Sequence, residues 1–151
     1  NRTNIGNMEN CIIETCENGK VWKNGKLENL MIPLNKKRVK KLLRMMIDQK
    51  LGMRWKCEAR ADHLDDEICE LMAEAGCERV KIGFESGSDR ILSQVKKLET
   101  RDEMLKGAAM LKKAKVPFSA YFMAGFPGET DNDVRETIDF AKSPFWADSV
   151  F

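Results

Sequence analysis

Residues 54–92 read RWKCEARADHLDDEICELMAEAGCERVKIGFESGSDRIL. Together with Met53, the opening letters MRWKCEA fit a strand. Asp65 then stands where a helix N-cap is needed, and Ile68, Leu71, Met72 and Ala75 behind it recur at helical spacing. Gly76 supplies a left-handed stop. RVKIGFE, residues 79–85, is a second strand, and it runs into Ser86-Gly87-Ser88, small residues that let a ligand approach the backbone. Strand, helix and strand in so short a stretch imply a parallel pair joined by a right-handed crossover.

Outward from this unit the alternation continues. On the N-terminal side Asn35 caps a helix running to about Lys50, with Val39, Leu42, Leu43 and Met46 inward and Gly52 just beyond. On the C-terminal side a short helix spans residues 89–95. Thr100 and Glu103 have capping-box spacing and open a helix that turns Met104, Ala108 and Leu111 inward, and Pro117 prevents its extension. FSAYFMAG, residues 118–125, is nearly continuous in apolar character and predicts a strand covered on both faces. Thr130 caps a last helix with Val134, Ile138 and Ala141 inward. The order from residue 53 is β-α-β-α-α-β-α, an α/β fold with a parallel sheet. Residues 1–34 differ: Asn24-Gly25 between KVWK and KLENL suits a two-residue turn, so this segment is read as a hairpin or irregular.

The chain of 151 residues carries 26 Lys and Arg against 24 Asp and Glu, a net charge of +2. That balance argues against wholesale nucleic-acid or membrane-surface binding. The local cluster of Lys36, Lys37, Arg38, Lys40, Lys41 and Arg44 is read as the solvated face of its helix. No apolar run is long enough to span a membrane and no apolar signal region opens the chain, so the expected location is cytoplasmic. The five cysteines are odd in number. Cys11 and Cys16 lack zinc-site spacing, and Cys57, Cys69 and Cys77 sit among apolar residues, as core residues do. No metal ligand is assigned. The chain starts at Asn1 and stops at Phe151 in a partly apolar run, and it reads as cut at both ends.

In parallel α/β folds, ligands sit beyond the carboxyl ends of the strands. Three such ends carry polar residues. Glu58 lies in a strand and needs a cationic partner, because an unpaired buried carboxylate costs several kcal/mol. That partner is either Arg60, on the same face at i+2, or the ammonium of a ligand. Glu85 either caps the next helix or accepts hydrogen bonds from ligand hydroxyls, and Ser86 or Ser88 can serve as the cap instead. GFPGET, residues 125–130, is a tight turn feeding a helix whose N-terminus Glu129 and Asp131 complement. It lacks the Lys and Ser/Thr of a phosphate loop. His63 has no Ser or Cys partner and is expected to be exposed.

From Asn35 to Phe151 the chain resembles the central-to-late part of a radical S-adenosylmethionine (radical SAM) core. The nearest group is that of the cobalamin-binding, methylthiotransferase, Elongator and coproporphyrinogen-oxidase types. Three ordered blocks carry the resemblance: residues 54–92, KKLETRDE at 96–103, and AGFPGETDNDVRETIDFAK at 124–142. It implies an incomplete (βα) barrel of TIM type. In it a [4Fe-4S] cluster and SAM at the strand ends generate a 5′-deoxyadenosyl radical, with an electron donor such as flavodoxin or ferredoxin. Glu58 matches the residue that binds the SAM amino group, Glu85 with Ser86 the position facing the ribose hydroxyls, and Lys97 the cation reaching the SAM carboxylate. Tyr121 and Met123 match the strand flanking the adenosyl group, with Tyr121 where some relatives carry an acid. No catalytic residue is assigned. The family's C-x3-C-x2-C triad occurs nowhere in the 151 residues. The expectation is therefore a fragment of a radical SAM enzyme acting on an undefined small molecule, with cobalamin in an upstream domain as an option. The alternative is a non-catalytic remnant that serves as a binding domain.

Overall fold

The computed structural model describes residues 35–143 in full and the backbone of residues 26–31. Strand β1 is Lys26–Met31, followed by helix α1, Lys36–Asp48, and strand β2, Arg54–Ala59. A 3-10 turn, Ala61–His63, leads to α2, Asp66–Glu74, and β3, Cys77–Glu85. Then come α3, Asp89–Gln94, α4, Arg101–Lys113, β4, Phe118–Phe122, and α5, Asp131–Ala141. The four strands lie in the order β1-β2-β3-β4, every neighbouring pair parallel. This is the α/β fold with a parallel sheet that the alternation predicts, in keeping with the incomplete barrel that the resemblance implies.

Local chemistry sets the helix starts. Asn35, Asp65, Thr100 and Thr130 each accept a backbone N–H from three residues on, and Thr100 with Glu103 completes its capping box. One face of the sheet is dry: Trp55, Cys57, Val80, Ile82, Phe84 and Phe118 are buried against Leu43, Ile68, Met72, Met104 and Leu111 from the helices. Trp55 donates its indole N–H to the Ala75 carbonyl at 2.8 Å, so the largest core residue leaves no polar atom unmet. Gly107 of α4 lies against the 3-10 turn, where an added Cβ would be 2.8 Å from that of Ala61.

The other face is open and polar. Glu58, Lys81 and Ser119 lie in register across β2, β3 and β4, and Gly83 pairs with Tyr121. Strand alternation puts Glu58, Lys81, Gly83, Ser119 and Tyr121 on this one face.

Residues 26–31 form a strand parallel to β2, a pairing the sequence reading did not propose, while the turn at Asn24-Gly25, the stretch 20–23 and Cys11 and Cys16 lie outside the described residues. Three expectations change. Strand β4 is covered on one face only, and Tyr121 and Met123 are exposed. Helix α5 turns Asp133, Thr137 and Phe140 inward and leaves Ile138 43% exposed, because polar anchors override its apolar period. His63 is buried rather than exposed, held in the 3-10 turn with its Nε2 3.5 Å from Asp62.

Candidate functional site: the carboxyl ends of β2, β3 and β4

Glu58 does not pair with Arg60. The chain turns at Arg60, which carries the guanidinium to Asp62, with two hydrogen bonds of 3.0 Å, and to Glu99 at 3.5 Å. The Glu58 carboxylate instead faces Lys81, its neighbour across the sheet, at 3.7 Å, with the two side chains 46% and 32% exposed. Sequence reading missed Lys81, although the alternation of Lys81, Gly83 and Glu85 places all three on one face.

At the end of β3 the backbone tightens. Glu85 has φ 65°, a left-handed value that a non-glycine residue adopts only at a cost. Ser86 donates its N–H back to the Phe84 carbonyl at 2.7 Å, and Met123 donates to the Glu85 carbonyl at 2.7 Å, fixing the turn from both sides. The Glu85 carboxylate folds over Gly83, which has no Cβ to obstruct it. Lys97 reaches the same place, its Nζ 3.4 Å from Glu85 and 3.4 Å from Glu99, and its side chain only 13% exposed. Left-handed φ values of 54° at Lys96 and 58° at Leu98 aim Lys97 inward and leave Leu98 outside.

Glu99 ties the two strand ends together. It is buried, accepts the Asp62 N–H at 3.2 Å, and faces both Lys97 and Arg60. Hydrogen bonding to Asp62 raises the Arg60 pKa above its usual value. Burial acts against ionisation of Asp62, yet Arg60 and His63 hold its carboxyl below the usual range. Sequence reading missed Arg60 in this role and Glu99 altogether, since no local spacing signals a contact between residues 60 and 99.

Ser86 turns away from the open face. Its buried hydroxyl meets Thr137 of α5 at 3.0 Å and accepts the Ser88 N–H at 3.1 Å, so it stands inside the fold and not on the open face beside Glu85. Thr137 also accepts the Gly87 N–H at 2.9 Å. Ser88 is the N-cap residue of α3, but its hydroxyl goes to Asp133 at 2.7 Å. Arg90, Thr130 and Ser88 hold the Asp133 carboxyl well below the ordinary range. Glu129, expected to complement the α5 terminus, bonds its own loop: Oε2 accepts from Gly125 at 2.5 Å and Phe126 at 3.3 Å. Tyr121 and Met123 stand exposed at the end of β4, where they flank the open face from the next strand.

A [4Fe-4S] cluster does not fit these residues. Its ligands are cysteine thiolates. Cys57, Cys69 and Cys77 are buried, free and on the covered side; contact with Cys77 and burial push the Cys57 thiol pKa well up, and burial takes that of Cys69 to about 12. Among the described residues no group of three or more His, Cys, Asp or Glu could hold a metal ion, and no helix is long and apolar enough to cross a membrane.

The described residues thus form a parallel sheet with one open polar face and charges gathered at its carboxyl ends. The family model described as the Radical SAM superfamily matches residues 28–141. The chain belongs to that superfamily. It is 33% identical over 109 residues to an uncharacterized methyltransferase of Pyrococcus horikoshii, covering 72% of this chain and 24% of that one. It is 31% identical over 83 residues to the tRNA-2-methylthio-N(6)-dimethylallyladenosine synthase of Finegoldia magna, covering 52% of this chain and 18% of that one. The chain thus spans about a quarter or less of the curated relatives it matches. Among solved structures, the radical S-adenosylmethionine methyltransferase TsrM from Kitasatospora setae, with cobalamin and a [4Fe-4S] cluster bound, superposes with a TM-score of 0.64 at 22% identity. That match covers 76% of this chain and 23% of TsrM. The archaeal Elp3 of Methanocaldococcus infernus matches with a TM-score of 0.57 at 21% identity, over 91% of this chain and 40% of the other. At these identities the likeness is one of fold.

Proposed function

We propose that the open face at the ends of β2, β3 and β4 is the SAM-binding wall of a radical SAM enzyme. The observation that carries this is the placement of two partly exposed carboxylates, Glu58 and Glu85, at adjacent strand ends on one face, each with a lysine beside it. SAM presents an ammonium, a carboxylate and two ribose hydroxyls. Glu58 receives the ammonium and Glu85 accepts from the hydroxyls, while Tyr121 and Met123 border the adenine. From Lys81 to Gly83, over which the Glu85 carboxylate is folded, the strand advances about 7 Å. An extended ligand bridges that interval from its amino-acid end to its sugar.

The radical chemistry of the family needs thiolate-held iron, which the residues present here do not supply, so no step is derived through it. For the whole protein we propose transfer of a methyl or methylthio group, in keeping with the named relatives, with a one-electron donor such as a flavodoxin or ferredoxin. Cobalamin use is proposed by analogy with the cobalamin-bound TsrM fold alone. A second reading is a binding domain without radical chemistry; absence of the C-x3-C-x2-C triad from the complete gene would favour it.

The test is equilibrium titration of the protein made from the complete native gene with S-adenosylhomocysteine. Glu58→Gln weakens binding roughly tenfold, as loss of one hydrogen bond between charged groups at a partly exposed position does. Unchanged affinity overturns the site. Iron and sulfide content after anaerobic reconstitution separates the enzyme from the binding domain.

A further inference from the structure

The loop between α3 and α4 holds an apolar side chain where its backbone resists one. Leu98 has φ 58° and is 85% exposed. Glycine or asparagine meets a left-handed backbone at lower steric cost, and either would leave less apolar surface in water. Lys96, two residues earlier, is left-handed as well and also exposed. The loop thus carries a cation and a leucine outward together as a knob.

Beside the knob lies a hollow of about 450 Å³, lined by Asp89 at the start of α3 and by Thr100, Arg101, Asp102 and Leu105 at the start of α4. Thr100 follows Leu98 by two residues, at most about 7 Å along the chain, so knob and hollow share one patch. That patch stands on the helix side of the molecule, because α3 and α4 bury Ile91, Leu92, Met104 and Leu111 toward the core. It lies apart from the open polar face of the sheet.

The two halves of the patch match in charge and in apolar character. The knob joins Lys96 to Leu98, and the hollow joins two acids, Asp89 and Asp102, to Leu105. Arg101 is the single cation among the lining residues, and its guanidinium lies over the Phe140 ring, 4.8 Å from the centroid. Its backbone N–H goes to Asp89 at 3.3 Å. Leu98 does not fill the hollow of its own chain, as its exposure shows. A surface that carries a knob and the complementary hollow side by side fits a copy of itself about a two-fold axis, each copy supplying both halves.

We propose that the protein forms a two-fold dimer in which Leu98 of each copy enters the hollow of the other beside Leu105, and Lys96 of each meets Asp102 of the other. The proposal does not depend on the SAM reading. The patch is small beside a standard protein interface, so the dimer is weak and concentration-dependent.

The experiment is sedimentation equilibrium of the protein made from the complete native gene. The wild type associates to a dimer and no further. Leu98→Asn weakens the dimer roughly hundredfold or more, as removal of two buried leucine side chains does. Asparagine accepts the left-handed backbone, so the urea midpoint of this variant does not fall and the loss is not one of folding. Lys96→Asp and Asp102→Lys each weaken the dimer roughly tenfold, since each reverses a charge in two symmetry-related pairs. The double variant, with the charges exchanged, returns to within about threefold of the wild type. A wild type that stays monomeric at about 100 μM overturns the proposal. So does a dimer that Leu98→Asn leaves intact, a double variant no better than the single ones, or growth beyond a dimer.

Discussion

Replacing Gly83 with alanine acts on the site with little change to the fold. Gly83 is absent from the positive-φ glycines, so its backbone accepts an L-residue. An added Cβ runs into the Glu85 Oε1 atom and comes 3.4 Å from Glu85 Cδ and 3.5 Å from Lys97 Nζ. These are the ends of flexible side chains, so the methyl group displaces the carboxylate and leaves the strand in place. On stability, alanine restricts the unfolded chain by about 0.4–1 kcal/mol in favour of folding. Disturbing the partly exposed Lys97–Glu85 pair costs up to about 1 kcal/mol. The urea midpoint therefore moves little. On binding, loss of one hydroxyl hydrogen bond to a charged acceptor removes about 1.5–3 kcal/mol, or roughly 10- to 150-fold in Kd. Equilibrium dialysis with methylthioadenosine isolates this effect, because that ligand carries the ribose without the amino-acid group. A Kd within about twofold of wild type, with an unchanged urea midpoint, refutes the placement of Glu85 on the ribose hydroxyls.

Two further outcomes follow from the packing. Gly107→Ala should destabilise the protein by up to about 2 kcal/mol: the helix gains about 1 kcal/mol, but overpacking against Ala61, whose Cβ and Cα would be 2.8 and 2.9 Å away, costs about 1–3 kcal/mol. A raised urea midpoint contradicts this. Asp133 has its folded-state pKa lowered by Arg90, Thr130 and Ser88. The unfolded chain takes up its proton first as pH falls below about 4, so the contribution is full above that value and declines as pH drops toward the folded value. The stability gap between wild type and Asp133→Asn in urea melts should be widest at pH 7 and narrow in acid; a gap that widens in acid reverses the assignment.

Much of the fold is legible because its signals are local. Asn35, Asp65, Thr100 and Thr130 cap helices through atoms three residues away, and the inward sets of α1, α2 and α4 repeat at helical spacing. The misread helix is α5: its apolar period points to Ile138, but Thr137 and Asp133 hydrogen-bond to the Ser86–Ser88 loop some 45–50 residues earlier and set its rotation. The parallel pairing of residues 26–31 with β2 escaped for a related reason, because a two-residue turn signal describes a chain's neighbours in sequence and not across a sheet.

From the order of residues alone came the alternating strands and helices and the parallel sheet they require; Glu58 and Glu85 stood out at the strand ends, and Lys97 entered through the family resemblance. Hydrophobic period, capping and turn chemistry act over a few residues, and each is written in the order of the chain. Which charge meets which is set by the folded arrangement alone. It gave Glu58 to Lys81 and Arg60 to Asp62 and Glu99, enclosed Lys97 between two acids, and turned Ser86 inward. Charge pairing depends on distances across strands and through space, and strand register and helix rotation fix those distances only after the core has closed.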